Sequence, residues 1–408
     1  MSTSPQSTSG VSAVDHANRR RPALVVLGVP VGTPQIIAGV LLLCFAGQSL
    51  WLMSRLRLSD IELLNIAQGM RMWNGARGAA DESRAPLPAL LGAAPILRDQ
   101  SPESAPSSQA AIIDYPPEWR WLARLPFLLV GVFLGASLWY VARRLCGNTG
   151  GYIALALYAF SPPVISGAAS VTAPIVASWG SFGAVFTAIA VAHTLYAPRE
   201  VVLWNWRRIL LLGLSFGIAS GAQIALVLII VPAALFFLLY LSPQRRGAAL
   251  AIFLAGVAVG ALALWAVYGF HFAGLMESLR HAGLLRFSPE LFTRAVTWSL
   301  LLLFFLRMPG VLVLLLISLV GYACWGRTRF FGTTAPLLLF VALMAFGILL
   351  PHLGGFNFFL IALPFAFVFI AGVFADLLES GYRGLALGIV AGVLLAHAGF
   401  SISGLLRL

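Results

Sequence analysis

Long apolar runs recur along the whole chain and constrain its fold more than any other feature. An α-helix of about 20 apolar residues crosses the hydrocarbon core of a bilayer, and about eleven runs approach that length. The sequence therefore predicts an all-α, polytopic membrane protein with about eleven transmembrane helices. We expect these helices near Pro34–Met53, Leu125–Ala142, Gly151–Ser170, Pro174–Leu195, Ile209–Ala222, Ile224–Leu241, Ala248–Phe270, Met308–Trp325, Thr334–Leu350, Phe356–Leu377 and Leu385–Leu405.

The composition excludes several classes of soluble protein. Hydrophobic residues make up 60% of the 408 residues and charged residues only 10%, whereas a soluble domain is about 25% charged. All 26 basic residues are arginine, so a Schiff-base lysine and a P-loop lysine are both excluded. The 3 cysteines form no CxxC or Cys/His spacing, so neither a disulfide framework nor a zinc ribbon is encoded.

Arginine pairs mark alternate connections between the predicted helices. The pairs are Arg143/Arg144, Arg207/Arg208, Arg245/Arg246 and Arg327/Arg329, on the same side as Arg19–Arg21. The intervening turns at 161–172, 220–223 and 351–357 contain no arginine. This is the positive-inside pattern, and it places the N-terminus in the cytoplasm. The net charge of +12 is therefore mainly a topology signal, and no nucleic-acid partner is expected.

One transmembrane domain with two outer loops follows from this topology. Residues 1–33 begin with a polar, Ser/Thr-rich stretch that predicts a disordered cytoplasmic tail, and residues 34–408 are expected to form a single transmembrane domain. The outer loops comprise residues 58–124 and 271–307. The first loop holds 8 of the 14 acidic residues, so we expect polar chemistry and short helices there.

The second outer loop contains one apolar stretch, Val296–Leu306. At 11 residues, this stretch is too short to cross a bilayer alone. It is either an interfacial or re-entrant piece, or an extension of the helix that follows it.

Asp60 and Glu62 follow the first predicted helix and begin an amphipathic stretch. Apolar residues recur through Ile61–Trp73 at a nearly helical period, which predicts a helix. Asp60 then has two interpretations. Its carboxylate caps the helix by accepting a backbone N–H bond, or it serves at the membrane–water boundary as a general base or metal ligand.

A second acidic motif, Asp114-Tyr115-Pro116-Pro117-Glu118-Trp119, closes the first outer loop. Its two prolines stiffen the chain into an extended segment. Asp114 is either a functional acid held against the bilayer surface or part of a stiff entry turn. Trp119 and Trp121 are interpreted as interfacial anchors.

Arginines of the second outer loop are candidates for binding a phosphate. Arg280, Arg286 and Arg307 lie there, and a guanidinium group donates two hydrogen bonds to a phosphate. Arg307 is flanked by apolar residues on both sides, which makes it a functional-site candidate in a membrane protein. The alternative for all three is a solvated or headgroup-facing role. His193 and His397 lie in apolar helices and are interpreted as packed residues rather than metal ligands.

Several motifs, taken in order along the chain, resemble one family. They are Ala123-Arg124-Leu125-Pro126, Ala142-Arg143-Arg144-Leu145-Cys146-Gly147, Ala154–Pro162, Arg207–Pro232 and Phe358–Pro364. In order and topology they resemble the helices of GT-C-fold glycosyltransferases, the integral-membrane enzymes similar to protein O-mannosyltransferases and aminoarabinose transferases. The chain is identified as a divergent member of this family.

The resemblance implies transfer of a sugar from a polyprenyl-phosphate donor to a glycan, lipid or protein acceptor. Transfer is expected at the extracytoplasmic face of a bacterial cytoplasmic (inner) membrane. Asp60, with Glu62 nearby, falls where the family places an acid that acts as base or partner of a divalent metal ion, and no organic cofactor is expected. Tyr115-Pro116-Pro117 resembles the family's HPP element with Tyr in place of His, so Asp114 and Tyr115 are further site candidates.

The sequence departs from the family at places that bear on catalysis. Val171–Pro174 lacks the acid of the family's TDAP-like run, and Asn357-Phe358 replaces its late RY pair. A catalytically inactive scaffold subunit of a membrane complex is therefore an alternative function. A transporter is disfavoured, because the predicted spans carry almost no ionisable residues.

Overall fold

A computed structural model describes residues 24–26, 29–75, 86–97, 118–195, 206–282, 294–324, 330–350 and 355–407. Helices dominate these residues, which confirms the predicted all-α fold class. The first seven helices are α1 (Thr33–Arg55), α2 (Asp60–Trp73), α3 (Pro86–Ala93), α4 (Trp119–Leu122), α5 (Leu125–Ala159), α6 (Pro162–Ala168) and α7 (Ala173–Thr194). The others are α8 (Trp206–Ala222), α9 (Val227–Leu241), α10 (Arg246–Val267), α11 (Phe272–Ala282), α12 (Ala295–Leu306), α13 (Pro309–Cys324), α14 (Ala335–Leu349), α15 (Gly355–Leu378) and α16 (Arg383–Leu406). A 3₁₀ turn at Ile224–Leu226 precedes α9, and a π-helical turn at Phe330–Thr334 precedes α14.

Helix α5 is a pair of antiparallel helices joined by a tight turn. Gly147 has φ 74° and ψ −178°, a left-handed conformation that glycine adopts readily. The Tyr158 hydroxyl donates to the Gly131 carbonyl at 2.5 Å, although a straight helix would separate these residues by about 40 Å. The two helices predicted on either side of this turn are therefore present. The second ends at Ala159 instead of Ser170, because Pro162 begins a new helix, α6.

Fewer helices meet the length and composition of a membrane span than the sequence predicts. Among the described residues, 8 helices are long and apolar enough to cross a membrane, or up to 9 if one bent pair forms a single span. The expected count of about eleven is not confirmed on this basis. Two features account for part of the difference: α5 counts once although it folds back on itself, and α8 has only 17 residues.

Small residues bring α8 and α10 into close contact. A Cβ atom on Gly213 would lie 2.4 Å from the Val259 Cβ, and one on Gly217 would lie 2.6 Å from the Ala263 Cβ. A Cβ atom on Gly260 would meet the Gly213 carbonyl oxygen at 3.1 Å. Glycines spaced four apart allow this backbone approach, which is typical of helix pairs in membranes.

Contacts between connections agree with the alternation of sides that the arginines predict. At the predicted outer end, α3 reaches α8, where a Cβ atom on Gly221 would lie 3.4 Å from the Leu87 Cβ. At the opposite end, Arg245 donates to the Leu195 carbonyl. The structure thus groups the connections by end, and the cytoplasmic position of the N-terminus stays a prediction from the arginines.

The N-terminal segment and the second outer loop differ in part from expectation. Leu24–Val26 and Val29–Val31 pair as antiparallel strands at the end of the segment predicted to be disordered, and residues 1–23 lie outside the described residues. Residues Thr297–Leu306 of α12 meet α13 at 106°. Interpreting the stretch at Val296–Leu306 as an extension of the following helix is therefore wrong, because Pro309 starts α13 in a new direction.

Candidate functional site

Helix α2 begins with a capping box formed by Ser59 and Glu62. The Ser59 hydroxyl accepts the Glu62 N–H at 3.4 Å, and the Glu62 carboxylate accepts the Ser59 N–H at 2.9 Å. The interpretation of Asp60 as the cap is therefore wrong, since Ser-x-x-Glu satisfies both free N–H groups from the neighbouring positions. Asp60 is instead the first helical residue, and its side chain is exposed.

Glu62 forms a buried, two-point ion pair with Arg124. The Arg124 Nε donates to Glu62 Oε1 at 2.8 Å, and its Nη2 donates to Oε2 at 2.8 Å. The Glu62 side chain is only 4% exposed, and the Arg124 side chain is 1% exposed. Such a pair requires further hydrogen bonds to offset the loss of water around both charges.

Arg124 obtains those further bonds from the end of α1. Its Nη1 donates to the Leu56 carbonyl at 2.9 Å, and its Nη2 donates to the Arg57 carbonyl at 2.9 Å. Carbonyls at a helix C-terminus have no partner within the helix, and a cation there is favourable. Arg124 therefore ties the last turn of α1 to the first turn of α2.

The turn between α6 and α7 is bound by the same helix, α2. The Val171 N–H donates to Glu62 Oε1 at 3.0 Å, and the Asn65 side-chain amide donates to the Val171 carbonyl at 2.8 Å. The turn Val171–Pro174, where the family resemblance leads one to expect an acid, is thus held through its backbone by the acid of the first outer loop.

The ionised form of Glu62 is favoured by its surroundings. Burial would raise the pKa of this carboxyl, but hydrogen bonds from Arg124, the Ser59 N–H and the Val171 N–H, together with the Arg124 charge, lower it below its usual value. We call the group formed by Ser59, Glu62, Asn65, Arg124 and the Val171 backbone the outer clamp. The outer clamp holds the carboxylate charged and fixed.

Helix α3 packs behind the outer clamp and closes it off from one side. A Cβ atom on Gly69 would lie 2.0 Å from the Ala89 carbonyl oxygen, so α2 and α3 touch backbone to backbone. A Cβ atom on Gly92 would lie 2.5 Å from the Val171 Cγ1. The Trp73 indole donates to the Leu90 carbonyl at 3.2 Å. Asp60 lies exposed at the first turn of α2, at the edge of this packed layer.

The other predicted site residues are spread over the molecule. Arg280 lies on α11, is 81% exposed, and pairs with Glu277 at 3.7 Å. Arg307 is exposed at the junction of α12 and α13. No hydrogen bond or ion pair in the described ranges joins either arginine to Asp60. Three further predicted site residues lie outside the described residues: Asp114, Tyr115 and Arg286.

The described carboxylates do not complete a metal site. No group of three or more His, Cys, Asp or Glu side chains that could hold a metal ion occurs in the part of the chain that the structure describes. Glu62 uses both oxygens in the outer clamp, so among the described residues at this end of α2 Asp60 is the one carboxylate outside the clamp. A divalent ion would need further ligands from elsewhere.

An apolar, partly open cavity of about 140 Å³ lies between α8, α9 and α10. Its lining includes Phe216, Ser220, Val227, Gly260 and Leu264, all in the halves of these helices nearest the outer connections. Helix α3 contacts α8 one residue beyond Ser220, at Gly221. The cavity thus borders the same layer that carries the outer clamp.

Reasoning from sequence missed the partners of Glu62. Arg124 lies 62 positions away and Val171 lies 109 positions away, so no local pattern joins them to the acid. The Ser59-x-x-Glu62 spacing was the one local signal, because it is the sequence form of a capping box. His397 is buried, as expected of a packed residue, whereas His193 is exposed and its ring lies 5.7 Å from that of Phe331.

Comparison with solved structures identifies the fold. The chain is similar to the archaeal oligosaccharyltransferase AglB from Archaeoglobus fulgidus in complex with an inhibitory peptide and a dolichol-phosphate, with 13% identity and a TM-score of 0.55 over 91% of this chain and 56% of that one. It is also similar to the Archaeoglobus fulgidus oligosaccharyltransferase in complex with Zn and sulfate, with 12% identity, a TM-score of 0.52, and coverage of 90% and 53%. The apo form of that enzyme matches at 12% identity with a TM-score of 0.54, over 91% of this chain and 56% of the other.

These similarities confirm a GT-C-like fold for a multi-pass membrane protein, at an identity that shows the fold alone. The chain spans about half the length of the solved structures that it matches. No family model and no curated protein sequence matches it.

Proposed function

We propose that the protein is a glycosyltransferase that moves a sugar from a polyprenyl-phosphate donor to an acceptor hydroxyl at the extracytoplasmic membrane face. The observation that carries the proposal is Asp60, an exposed carboxylate fixed at the rim of the outer clamp. The shared fold with oligosaccharyltransferases supports the reaction class, and one of those structures contains a peptide and a dolichol-phosphate.

Asp60 is the general base in this proposal. The acceptor hydroxyl gives its proton to the Asp60 carboxylate as its oxygen attacks the anomeric carbon. The bond between that carbon and the phosphate oxygen breaks, and the lipid phosphate leaves with the electron pair. Cationic groups stabilise the charge that develops on the leaving phosphate. Arg280, Arg286 and Arg307 are the proposed cationic groups.

Glu62 is a positioning residue in this proposal. Its Oε1 accepts from Arg124 and the Val171 N–H, and its Oε2 accepts from Arg124 and Ser59. A carboxylate that already receives this many donors, with its pKa lowered, is a poor proton acceptor. Its role is to fix the first turn of α2 and so the direction of Asp60. Asp114 and Tyr115 remain proposed partners in acid–base chemistry and donor binding.

The apolar cavity between α8, α9 and α10 is the proposed place for the donor's lipid tail. Its walls are almost wholly aliphatic and aromatic, and it lies beside the layer that carries Asp60. A lipid-linked donor needs an apolar cavity next to a polar site, because its tail stays in the hydrocarbon while its phosphate lies at the interface. We also propose the bacterial cytoplasmic membrane as the location, with a glycan, lipid or protein as acceptor.

A transfer assay tests the proposal. The purified full-length chain is reconstituted in lipid vesicles and supplied with radiolabelled polyprenyl-phosphate sugars and candidate acceptors. Transfer should occur with the wild type and should be lost in Asp60→Asn. Glu118→Gln is the matched control, because Glu118 is another exposed acid of the first outer loop. Transfer by Asp60→Asn at the wild-type rate would refute the assignment of the base.

A scaffold subunit is the second candidate, and a specific observation favours it. Glu62 is fully engaged in the outer clamp, and the turn Val171–Pro174 supplies no acid. Complementation in cells separates the two functions. If the wild type and Asp60→Asn restore a strain lacking the gene equally and neither purified protein transfers sugar, the protein acts as a scaffold. If only the wild type restores the strain, the enzyme proposal stands.

A further inference from the structure

Helix α12 is only about half as long as a membrane span, and it lies nearly perpendicular to α13. Its 12 residues extend about 18 Å, which is short of the hydrocarbon thickness of about 30 Å. Residues Thr297–Leu306 meet α13 at 106°. If α13 runs along the membrane normal, α12 is therefore within about 16° of the membrane plane.

The surface of α12 is apolar on several sides. Leu302, Leu303 and Leu306 are exposed, and so is Trp298. A helix that is hydrophobic all round is stable only in a protein core or in a membrane. Water is therefore an unsuitable neighbour for this surface.

One side of α12 rests on the helix bundle. The ring of Phe304 lies 5.6 Å from that of Phe359 on α15, and the ring of Phe305 lies 6.4 Å from that of Phe340 on α14. These contacts fix the helix against the bundle near the start of α15. The exposed leucines and Trp298 lie on the remaining surface of the helix.

Arginines flank α12 at both ends. Arg294 is the residue before the helix and Arg307 is the residue after it, and both side chains are exposed. Arginine side chains at the ends of apolar segments extend to the phosphate level of a bilayer. A flat helix with arginine at each end therefore matches the boundary between headgroups and acyl chains.

The preceding segment exposes aromatic residues at the same end of the molecule. Phe270 has φ 62°, an uncommon conformation for a residue other than glycine, and its side chain and that of Phe272 are exposed. The Tyr268 hydroxyl, which is buried, donates to Ser278 at 2.8 Å and holds α11 to the end of α10. Exposed aromatic rings at the end of a span are typical of a membrane interface.

We propose that α12 is an in-plane membrane helix in the leaflet on the side of the outer clamp. Acyl chains cover Leu302, Leu303 and Leu306, while Arg294 and Arg307 contact lipid phosphates. Lipid is the occupant because α12 rests on α14 and α15, which belong to helices long and apolar enough to cross a membrane. Its exposed apolar surface also continues onto α13 through Val313 and Leu316. The bilayer thus binds the second outer loop directly and fixes its depth relative to the lipid phosphates.

Spin-label depth measurements test this placement. Cys44, Cys146 and Cys324 are replaced by alanine, and single cysteines are introduced at Ser299 and Leu306 on α12. The protein is labelled and reconstituted in phosphatidylcholine–phosphatidylglycerol vesicles. Depth follows from collision rates with oxygen, which is enriched in hydrocarbon, and with a polar nickel complex, which is enriched in water. Val313→Cys and Val320→Cys on α13 are the control pair, because they have the same spacing and are also exposed.

The two α12 labels should both be shallow and oxygen-accessible, with a depth difference of about 3 Å, whereas the α13 pair should differ by about 10 Å. A difference of about 10 Å within α12 would show a crossing helix and overturn the proposal. Exposure of both α12 labels to the nickel complex, or shielding of both from each reagent as by a protein partner, would overturn it equally. Size-exclusion chromatography of each labelled protein confirms that it is folded.

Discussion

The two outer loops each contain an ion pair, and the two pairs differ in almost every respect. In the first loop, Arg124 and Glu62 are 1% and 4% exposed, joined at 2.8 Å, and bonded both to the end of α1 and to the turn at Val171. In the second loop, Arg280 and Glu277 are 81% and 38% exposed and 3.7 Å apart on one helix. A buried pair is strongly coupled to the fold, whereas an exposed pair is weakened by water and salt. Among the described residues, a buried ion pair therefore holds the first loop, whereas the exposed pair of the second loop contributes little to holding it.

Arg124→Ala should give the largest effect on stability. It leaves the Glu62 charge buried without its partner, and a change of this kind costs about 3–5 kcal/mol. The expected result is a clear fall in the unfolding midpoint of the purified protein in detergent.

The double variant Glu62→Ala/Arg124→Ala sharpens this prediction. Removing both charges should recover part of the stability lost in Arg124→Ala, because no unpaired buried charge remains. If the single and double variants have the same midpoint as the wild type, the outer clamp does not stabilise the fold.

Acid should weaken the first loop through Glu62. The pKa of this carboxyl is lowered in the folded protein from a reference value of 4.5, so its contribution to stability is complete above that value and is lost as the pH falls towards the folded pKa. The unfolding midpoint should therefore fall between neutral and acidic pH more steeply in the wild type than in Glu62→Gln. Parallel pH profiles would contradict this contribution.

Asn65→Ala should have a smaller effect. It removes the amide that binds the Val171 carbonyl at 2.8 Å and leaves that carbonyl without this partner. The expected loss is about 1 kcal/mol in the free energy of unfolding. Asn65→Asp is the matched comparison, because a carboxylate cannot donate to a carbonyl and should cost at least as much. A stability gain in either variant would contradict the clamp geometry.

Arg280→Ala should have the smallest effect. Its side chain is largely in solvent, and exposed pairs contribute little. The unfolding midpoint should stay within experimental error of the wild type at any salt concentration. A loss comparable to that of Arg124→Ala would remove the distinction between the two loops.

The helices could be predicted from the sequence, and the outer clamp could not. Apolar runs predict helix ends close to those of α7, α13 and α15, because a helix buried in the bundle or in lipid is apolar along its whole length. The outer clamp depends on Arg124 and the Val171 backbone, which approach Glu62 only when distant helices pack. The N-terminus of α2 was misassigned by one residue, because an acid at the first helical position resembles a cap unless the Ser59–Glu62 spacing is considered.

The rate of sugar transfer by Asp60→Asn should fall by about 10²–10⁴-fold, the usual effect of losing a general base, while its unfolding midpoint stays at the wild-type value, because Asp60 is exposed and lies outside the outer clamp. Glu118→Gln should keep both quantities. An Asp60→Asn protein that transfers sugar at the wild-type rate would contradict the account.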